Sequence, residues 1–159
     1  MNLTVYLSGE IHSDWREQIM TGIQSADLPV KVLSPVTDHP ASDNVGVDIL
    51  GAEELAEWKD HKAAKINRMR ILLAIEQAEI VVVKFGDQYK QWNAAFDAGY
   101  AAALGKALIV LHGPDHQHAL KEVDAAALAV CRKTEQVINT LRYVIEGRLP
   151  REPAEIAAE

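Results

Sequence analysis

Apolar residues gather in short, nearly unbroken runs, and between the runs they recur every three or four positions. Leu3 to Ser8, Val30 to Leu33, Ile80 to Phe85, Ala107 to Leu111 and Leu128 to Cys131 read as strands. The third is apolar throughout until Lys84, as a central parallel strand covered on both faces should be. Trp15, Ile19 and Ile23 recur at spacing four and predict a helix over 13–25, with Ser13 as N-cap and Glu17 near a capping-box position. Residues 53–77 hold neither Pro nor Gly and predict a long helix, broken near Trp58–His61, whose second half (Ile66, Met69, Leu73) is largely buried. Asn93, a good N-cap type, opens a helix to Leu104 that Gly105 ends. His116 to Asp124 predicts a short helix, and Thr134 caps a last one running to about Glu146, stopped by Gly147. Residues 36–52 are rich in Asp, His, Pro, Ser and Asn and read as an irregular loop, of a length that is often functional. The tail 150–159 has no apolar face and reads as loose.

Strands alternating with helices imply one domain, residues 1–149, with a three-layer α/β/α architecture. Its length favours a flavodoxin-like five-stranded parallel sheet in the order 2-1-3-4-5, whose switch point lies between the first and third strands. The loops there are Gly9–His12 and Gly86–Trp92. A ligand is expected between them, beside Asp97, which would sit in the first turn of its helix, where the helix N-terminus favours an ionised acid.

Composition narrows the partners. The chain has 159 residues, 48% hydrophobic and 25% charged, with a net charge of −7. That balance opposes binding to a long nucleic-acid backbone. The single cysteine, Cys131, cannot form an internal disulfide and reads as a buried small hydrophobe in a reducing, cytoplasmic setting. The apolar runs are too short to span a bilayer, and Val5-Tyr6-Leu7 follows the start with no basic flank, so neither a membrane span nor a signal peptide is expected.

Candidate chemistry centres on Asp97. An ionised, pre-positioned carboxylate is what a nucleophile at a sugar carbon requires, although a carboxylate early in a helix can serve the helix alone. Tyr6, on an apolar strand, would need a partner for its hydroxyl, and Asp97 is the natural one. Gln91, Trp92 and Asn93 either build the turn or contact a base, Trp92 by stacking and Gln91 as a bidentate partner for an adenine edge. Asp38-His39, Ser42-Asp43-Asn44 and Asp48 form a polar stretch; Asp43 and Asn44 suit sugar hydroxyls, or else make Asx turns. Lys62, Lys65, Arg68 and Arg70 share a helix. They form a solvated face, or Arg70 and Lys65 hold a 5′-phosphate, with Lys84 and Lys90 as alternatives. His112, His116 and His118, with Asp115, match no zinc spacing and read as surface histidines.

Val5-Tyr6-Leu7-Ser8-Gly9, the apolar third strand, and Asp97-Ala98-Gly99-Tyr100-Ala101 with Gly105-Lys106 beyond resemble the nucleoside 2-deoxyribosyltransferase superfamily. With Ser42-Asp43-Asn44, Asp48-Ile49-Leu50-Gly51, Lys65-Ile66-Asn67 and Tyr89-Lys90-Gln91-Trp92-Asn93, nearly the whole chain is similar to its YtoQ family. The resemblance implies a nucleophilic carboxylate at Asp97, a tyrosine at Tyr6 that hydrogen-bonds it, and a ligand passing close to Gly9, which has no side chain. It implies no metal or redox cofactor and a homo-oligomer, dimer or larger; Trp58 and Trp15 are read as apolar surface for that contact. The chain departs from the transferase pattern in four places, one of them Asn93-Ala94-Ala95 where small or hydroxyl residues usually precede the nucleophile. Asp97 is a methylene shorter than the usual glutamate, Gln91 stands where an acid contacts the base, and no acid stands near Arg70-Ile71.

Two functional readings follow. In the first, the protein is an enzyme at the N-glycosidic bond of a nucleoside or nucleoside 5′-monophosphate, a 2-deoxyribosyltransferase or an N-glycosyl hydrolase. Asp97 and Tyr6 are then catalytic, and Gly9, Asp43, Asn44, Gln91, Trp92, Asn93 and Arg70 bind substrate. In the second, the same pocket binds a nucleotide-like metabolite without turning it over.

Overall fold

The structure, a computed structural model, describes residues 1–88 and 91–148. Tyr89, Lys90 and the tail expected to be loose lie outside the described residues. Five parallel strands, β1 (Leu3–Gly9), β2 (Val30–Leu33), β3 (Ile80–Phe85), β4 (Ala107–His112) and β5 (Ala129–Cys131), form one sheet in the order β2-β1-β3-β4-β5. Among the described residues six helices connect or follow them: α1 (Trp15–Ser25), α2 (His39–Leu50), α3 (Ala56–Gln77), α4 (Trp92–Ala103), α5 (Lys121–Ala126) and α6 (Thr134–Glu146).

Successive strand side chains point to opposite faces, and both faces of this sheet are apolar. Val5, Leu7, Val82, Ile109 and Leu111 pack against Trp15, Ile19 and Ile23 of α1 and Val137 and Leu141 of α6. Tyr6, Val81, Val83, Leu108 and Val110 pack against Ile75 of α3 and Ala94, Ala98 and Ala101 of α4. The small alanines bring α4 close to the sheet. Tyr6 and Ser8 therefore face α3 and α4, and β1 pairs with β3 in the register Tyr6↔Val81 and Ser8↔Val83.

Residues 36–52 are not an irregular loop. Asp38 caps α2 by accepting the Ala41 N–H at 2.8 Å, and Pro40 stands in the first turn, where its missing N–H costs nothing. Poor helix formers follow, so tertiary packing supplies the stability. Gly46 lies against α3 so closely that a Cβ there would stand 2.4 Å from the Ala63 nitrogen.

Other expectations are revised. The helix α3 runs unbroken through Trp58–His61, and its second half is not largely buried: Met69 and Leu73 are exposed and only Ile75 is fully enclosed. The cap position of α1 is Asp14, and the Ser13 hydroxyl turns back to Glu10 instead. Gln91, not Asn93, holds the cap position of α4, so Asp97 lies five residues beyond Trp92, in the second turn. The span His116–Asp124 divides into a 3₁₀ turn at Pro114–His116 and α5. Thr134 is the first residue of α6, and its hydroxyl donates to Gln18. Trp15 is buried in the core and adds nothing to an apolar surface, whereas Trp58 is half exposed. No described helix is long and apolar enough to cross a membrane.

Candidate active site

At the carboxyl ends of β1 and β3 the sheet opens into a cleft of about 660 Å³, a size suited to a small molecule. It lies at the switch point, where neighbouring crossovers diverge. β1 supplies Tyr6, Ser8 and Gly9, and the loop after it Glu10, Ile11 and His12. The α4 segment supplies Gln91, Trp92, Asn93, Ala94 and Asp97, and α2 supplies His39 and Ser42.

Asp97 is buried in this cleft. The Ser8 hydroxyl donates to its Oδ2 at 2.7 Å, and Arg68 of α3 donates from Nη1 to its Oδ1 at 2.8 Å. Arg68 is itself held over the rings of Phe96 and Tyr100, 4.3 and 5.1 Å from their centres. In the second turn, Asp97 gains little from the helix dipole, which acts within the first. Burial pushes its carboxyl above the ordinary value; the Ser8 bond and the Arg68 charge oppose that rise without cancelling it.

Tyr6 lies fully buried in the same cleft, and the hydrogen bond expected from its hydroxyl to Asp97 is not made: Ser8 takes that position. The Tyr6 hydroxyl has no hydrogen-bond partner among the described residues. Burial, then the nearby Asp97 charge, raises its pKa well above the ordinary phenol value, so Tyr6 is a neutral donor at any physiological pH.

Gln91 is fixed in one orientation. A backbone N–H can only donate, and that of Gly86 donates to the Gln91 carbonyl oxygen at 2.7 Å. Its amide nitrogen is buried and unpartnered among the described residues. A bidentate adenine contact needs both ends of the amide, and the Gly86 N–H already takes one of the two lone pairs of its oxygen. Trp92 and Asn93 are exposed at the cleft wall.

Gly9 is required by the packing of β1 against β3, whatever ligand passes near it. Its φ is +102°, and a Cβ would stand 2.1 Å from the Lys84 carbonyl oxygen. Asp43 and Asn44 are not among the cleft residues. The helix turns them along its own surface, Asp43 toward His39 at 3.4 Å and Asn44 onto the Pro40 carbonyl at 2.8 Å. Arg70 is exposed on α3 and lines a separate shallow hollow with Leu33 and Ser34. The supposed basic strip is divided, because Lys62 pairs with Glu53 at 2.5 Å while Arg68 turns to Asp97.

Sequence reading passed over Ser8, and it named Glu10, His12 and His39 only within the Gly9–His12 loop and the polar stretch, without singling them out. Ser8 carried a signal, standing two positions after Tyr6 on one strand face. Arg68 was seen only as part of the strip, yet it shares the inward stripe of α3 with Ile71 and Ile75. His12 and His39 stack at 5.4 Å between ring centres. Among the described residues no three His, Cys, Asp or Glu side chains converge as metal ligands. His112, expected at the surface, is buried with Nε2 3.0 Å from Asp124.

The fold recurs in solved proteins. The 2-deoxyribosyltransferase of Bacillus psychrosaccharolyticus superposes with a TM-score of 0.55 at 19% identity, covering 87% of this chain and 95% of that one. A conserved protein from Enterococcus faecalis V583 gives a TM-score of 0.58 at 13% identity, covering 91% and 99%. In sequence, the uncharacterised protein YtoQ of Bacillus subtilis (strain 168) is 42% identical over 146 residues, which span 92% of this chain and 99% of that relative. The model of the nucleoside 2-deoxyribosyltransferase YtoQ family matches residues 6–145, a stretch that begins at the buried tyrosine and contains all four of Tyr6, Ser8, Arg68 and Asp97, and the chain belongs to that family.

Proposed function

We propose that the protein breaks the N-glycosidic bond of a nucleoside or nucleoside 5′-monophosphate, with Asp97 attacking the anomeric carbon. The observation that carries this reading is the Asp97 carboxylate, buried at the switch-point cleft with both oxygens held, by Ser8 and Arg68. Membership of a family named for nucleoside 2-deoxyribosyltransferases supports it.

In this mechanism one carboxylate oxygen forms a bond to C1′ as the C1′–N bond breaks. The electron pair leaves with the base nitrogen, which takes a proton from water. Water or a second base then attacks C1′, gives up a proton and restores the carboxylate. Arg68 keeps the second oxygen in place. The Tyr6 hydroxyl takes over the attacking oxygen's hydrogen bond when Ser8 yields it, then steadies the carboxylate as it departs. Gln91 donates to a keto oxygen or ring nitrogen of the base, Trp92 stacks on it, and Asn93 borders it. His39 and Ser42 replace Asp43 and Asn44 as the contacts α2 gives to the sugar. A homo-oligomer, dimer or larger, belongs to the same proposal.

One observation favours the second reading, a site that binds without turnover. Arg68 pairs with Asp97 at 2.8 Å, and a neutralising cation lowers a carboxylate's nucleophilicity. Chromatographic detection of free base separates the two. The protein is incubated with deoxynucleosides, ribonucleosides and their 5′-monophosphates, with and without an acceptor base, beside Asp97→Asn. Base release that falls by about 10³-fold or more in the variant, with ligand binding retained, is the expected result. Binding with no release from any substrate would leave only the binding reading.

A further inference from the structure

In open α/β sheets the first βα turn receives phosphate groups, through backbone N–H groups and the following helix N-terminus. In this chain that position is filled from within. The Glu10 side chain folds back over the β1–α1 loop and accepts the His12 N–H and the Ser13 hydroxyl. The Lys84 ammonium lies 3.4 Å from the same hydroxyl. Glu10 is 6% exposed, and Gly86 makes room for it: a Cβ there would stand 2.4 Å from the Glu10 Cγ.

The backbone beneath is pinned. The Trp15 indole donates to the Glu10 carbonyl at 2.8 Å, and the buried Arg16 guanidinium donates to the carbonyls of Leu7, Gly9 and Glu10. The backbone that carries Glu10 is therefore held in place. Burial raises its carboxyl pKa, but the bonds from Ser13 and His12 and the charge of Lys84 outweigh burial and leave it lowered. At neutral pH it is an anion. It lines the same cleft as Asp97, and among the described residues lining that cleft none is Lys or Arg.

We propose that Glu10 is a specificity-determining residue that holds the anion position of the β1–α1 loop, so that the cleft accepts an uncharged nucleoside and rejects the 5′-phosphorylated form. This rests on the cleft being a nucleoside site. A phosphate would meet an anion where it needs donors, and the donors it needs are already engaged.

The test is calorimetric binding in the Asp97→Asn chain, which removes turnover, with thymidine and 2′-deoxyadenosine each paired with its 5′-monophosphate. The monophosphate of the bound pair is expected to bind weaker than its nucleoside by on the order of 100-fold. Adding Glu10→Gln, which keeps an acceptor but removes the charge, is expected to shrink that ratio by about 10-fold or more. Glu10→Ala, which vacates the position, should shrink it further, with circular dichroism confirming the fold of both. A monophosphate binding as tightly as its nucleoside, or a ratio indifferent to both substitutions, overturns the role of Glu10 and leaves the nucleoside site standing. Binding of neither form of either pair overturns both.

Discussion

Burial acts on Asp97 in the opposite sense from Ser8 and Arg68, and burial prevails. A carboxylate must be ionised to attack, so kcat/KM should fall on the acid side with a midpoint above the ordinary aspartate value of 3.8. Arg68→Gln removes a cause that lowers this pKa, so its acid limb should move further up. The same change removes a hydrogen bond to a charged, buried group, and urea unfolding at neutral pH should show a loss of about 1.5–3 kcal/mol. An acid limb that stays in place in Arg68→Gln would contradict the pairing. The two site carboxyls affect stability oppositely. Asp97, with a raised folded pKa, stabilises most below its unfolded value and less as pH rises through the folded one. Glu10, with a lowered one, stabilises above its unfolded value and loses that contribution as pH falls through the folded one. At this scale the strand and helix patterns placed Asp97, Gly9 and the Gln91–Asn93 turn at the carboxyl ends of the central strands, and the resemblance to the transferases singled out Asp97, Tyr6 and Gly9. Sequence reading paired Asp97 with Tyr6 rather than with Ser8, 89 positions away, or Arg68, 29 positions away. Which donor reaches a carboxylate across such separations depends on helix rotation that periodicity leaves open.

The helix α2 shows where local pattern fails. From His39 to Leu50 its intrinsic preference is weak, and Pro, Ser, Asp, Asn and Gly argue for a loop. The two start signals, Asp38 and Pro40, were present, but the packing that sustains the helix comes from α3, through Gly46. That glycine sets the distance of His39 and Ser42 from the cleft. Gly46→Val would place new carbon against the Ala63 nitrogen and the Lys62 carbonyl carbon, 2.4 and 2.5 Å from its Cβ. Overpacking of this kind costs about 1–3 kcal/mol, and α2 should move outward. The expected kinetic signature is a raised KM for the turned-over nucleoside with little change in kcat, because Asp97 and Ser8 stand on other elements. A fall in kcat at unchanged KM would instead tie α2 to the chemical step.

For the molecule as a whole, sheet order and layers were legible because each strand is a short apolar run and helical stretches separate the runs. Once the order 2-1-3-4-5 is set, the switch point fixes where a ligand can enter. The chemistry inside was less legible, since the same sheet edge serves catalysts and binding modules alike. The central claim is that Asp97 bonds to the anomeric carbon. Its most direct test is peptide mass mapping after incubation with the 2′-fluoro form of whichever nucleoside releases base, since the fluorine slows loss of the sugar from the enzyme. A single sugar adduct on the peptide carrying Asp97, absent from Asp97→Asn, is the result this account predicts. An adduct on Glu10 or another side chain, or undiminished base release by Asp97→Asn, would contradict it.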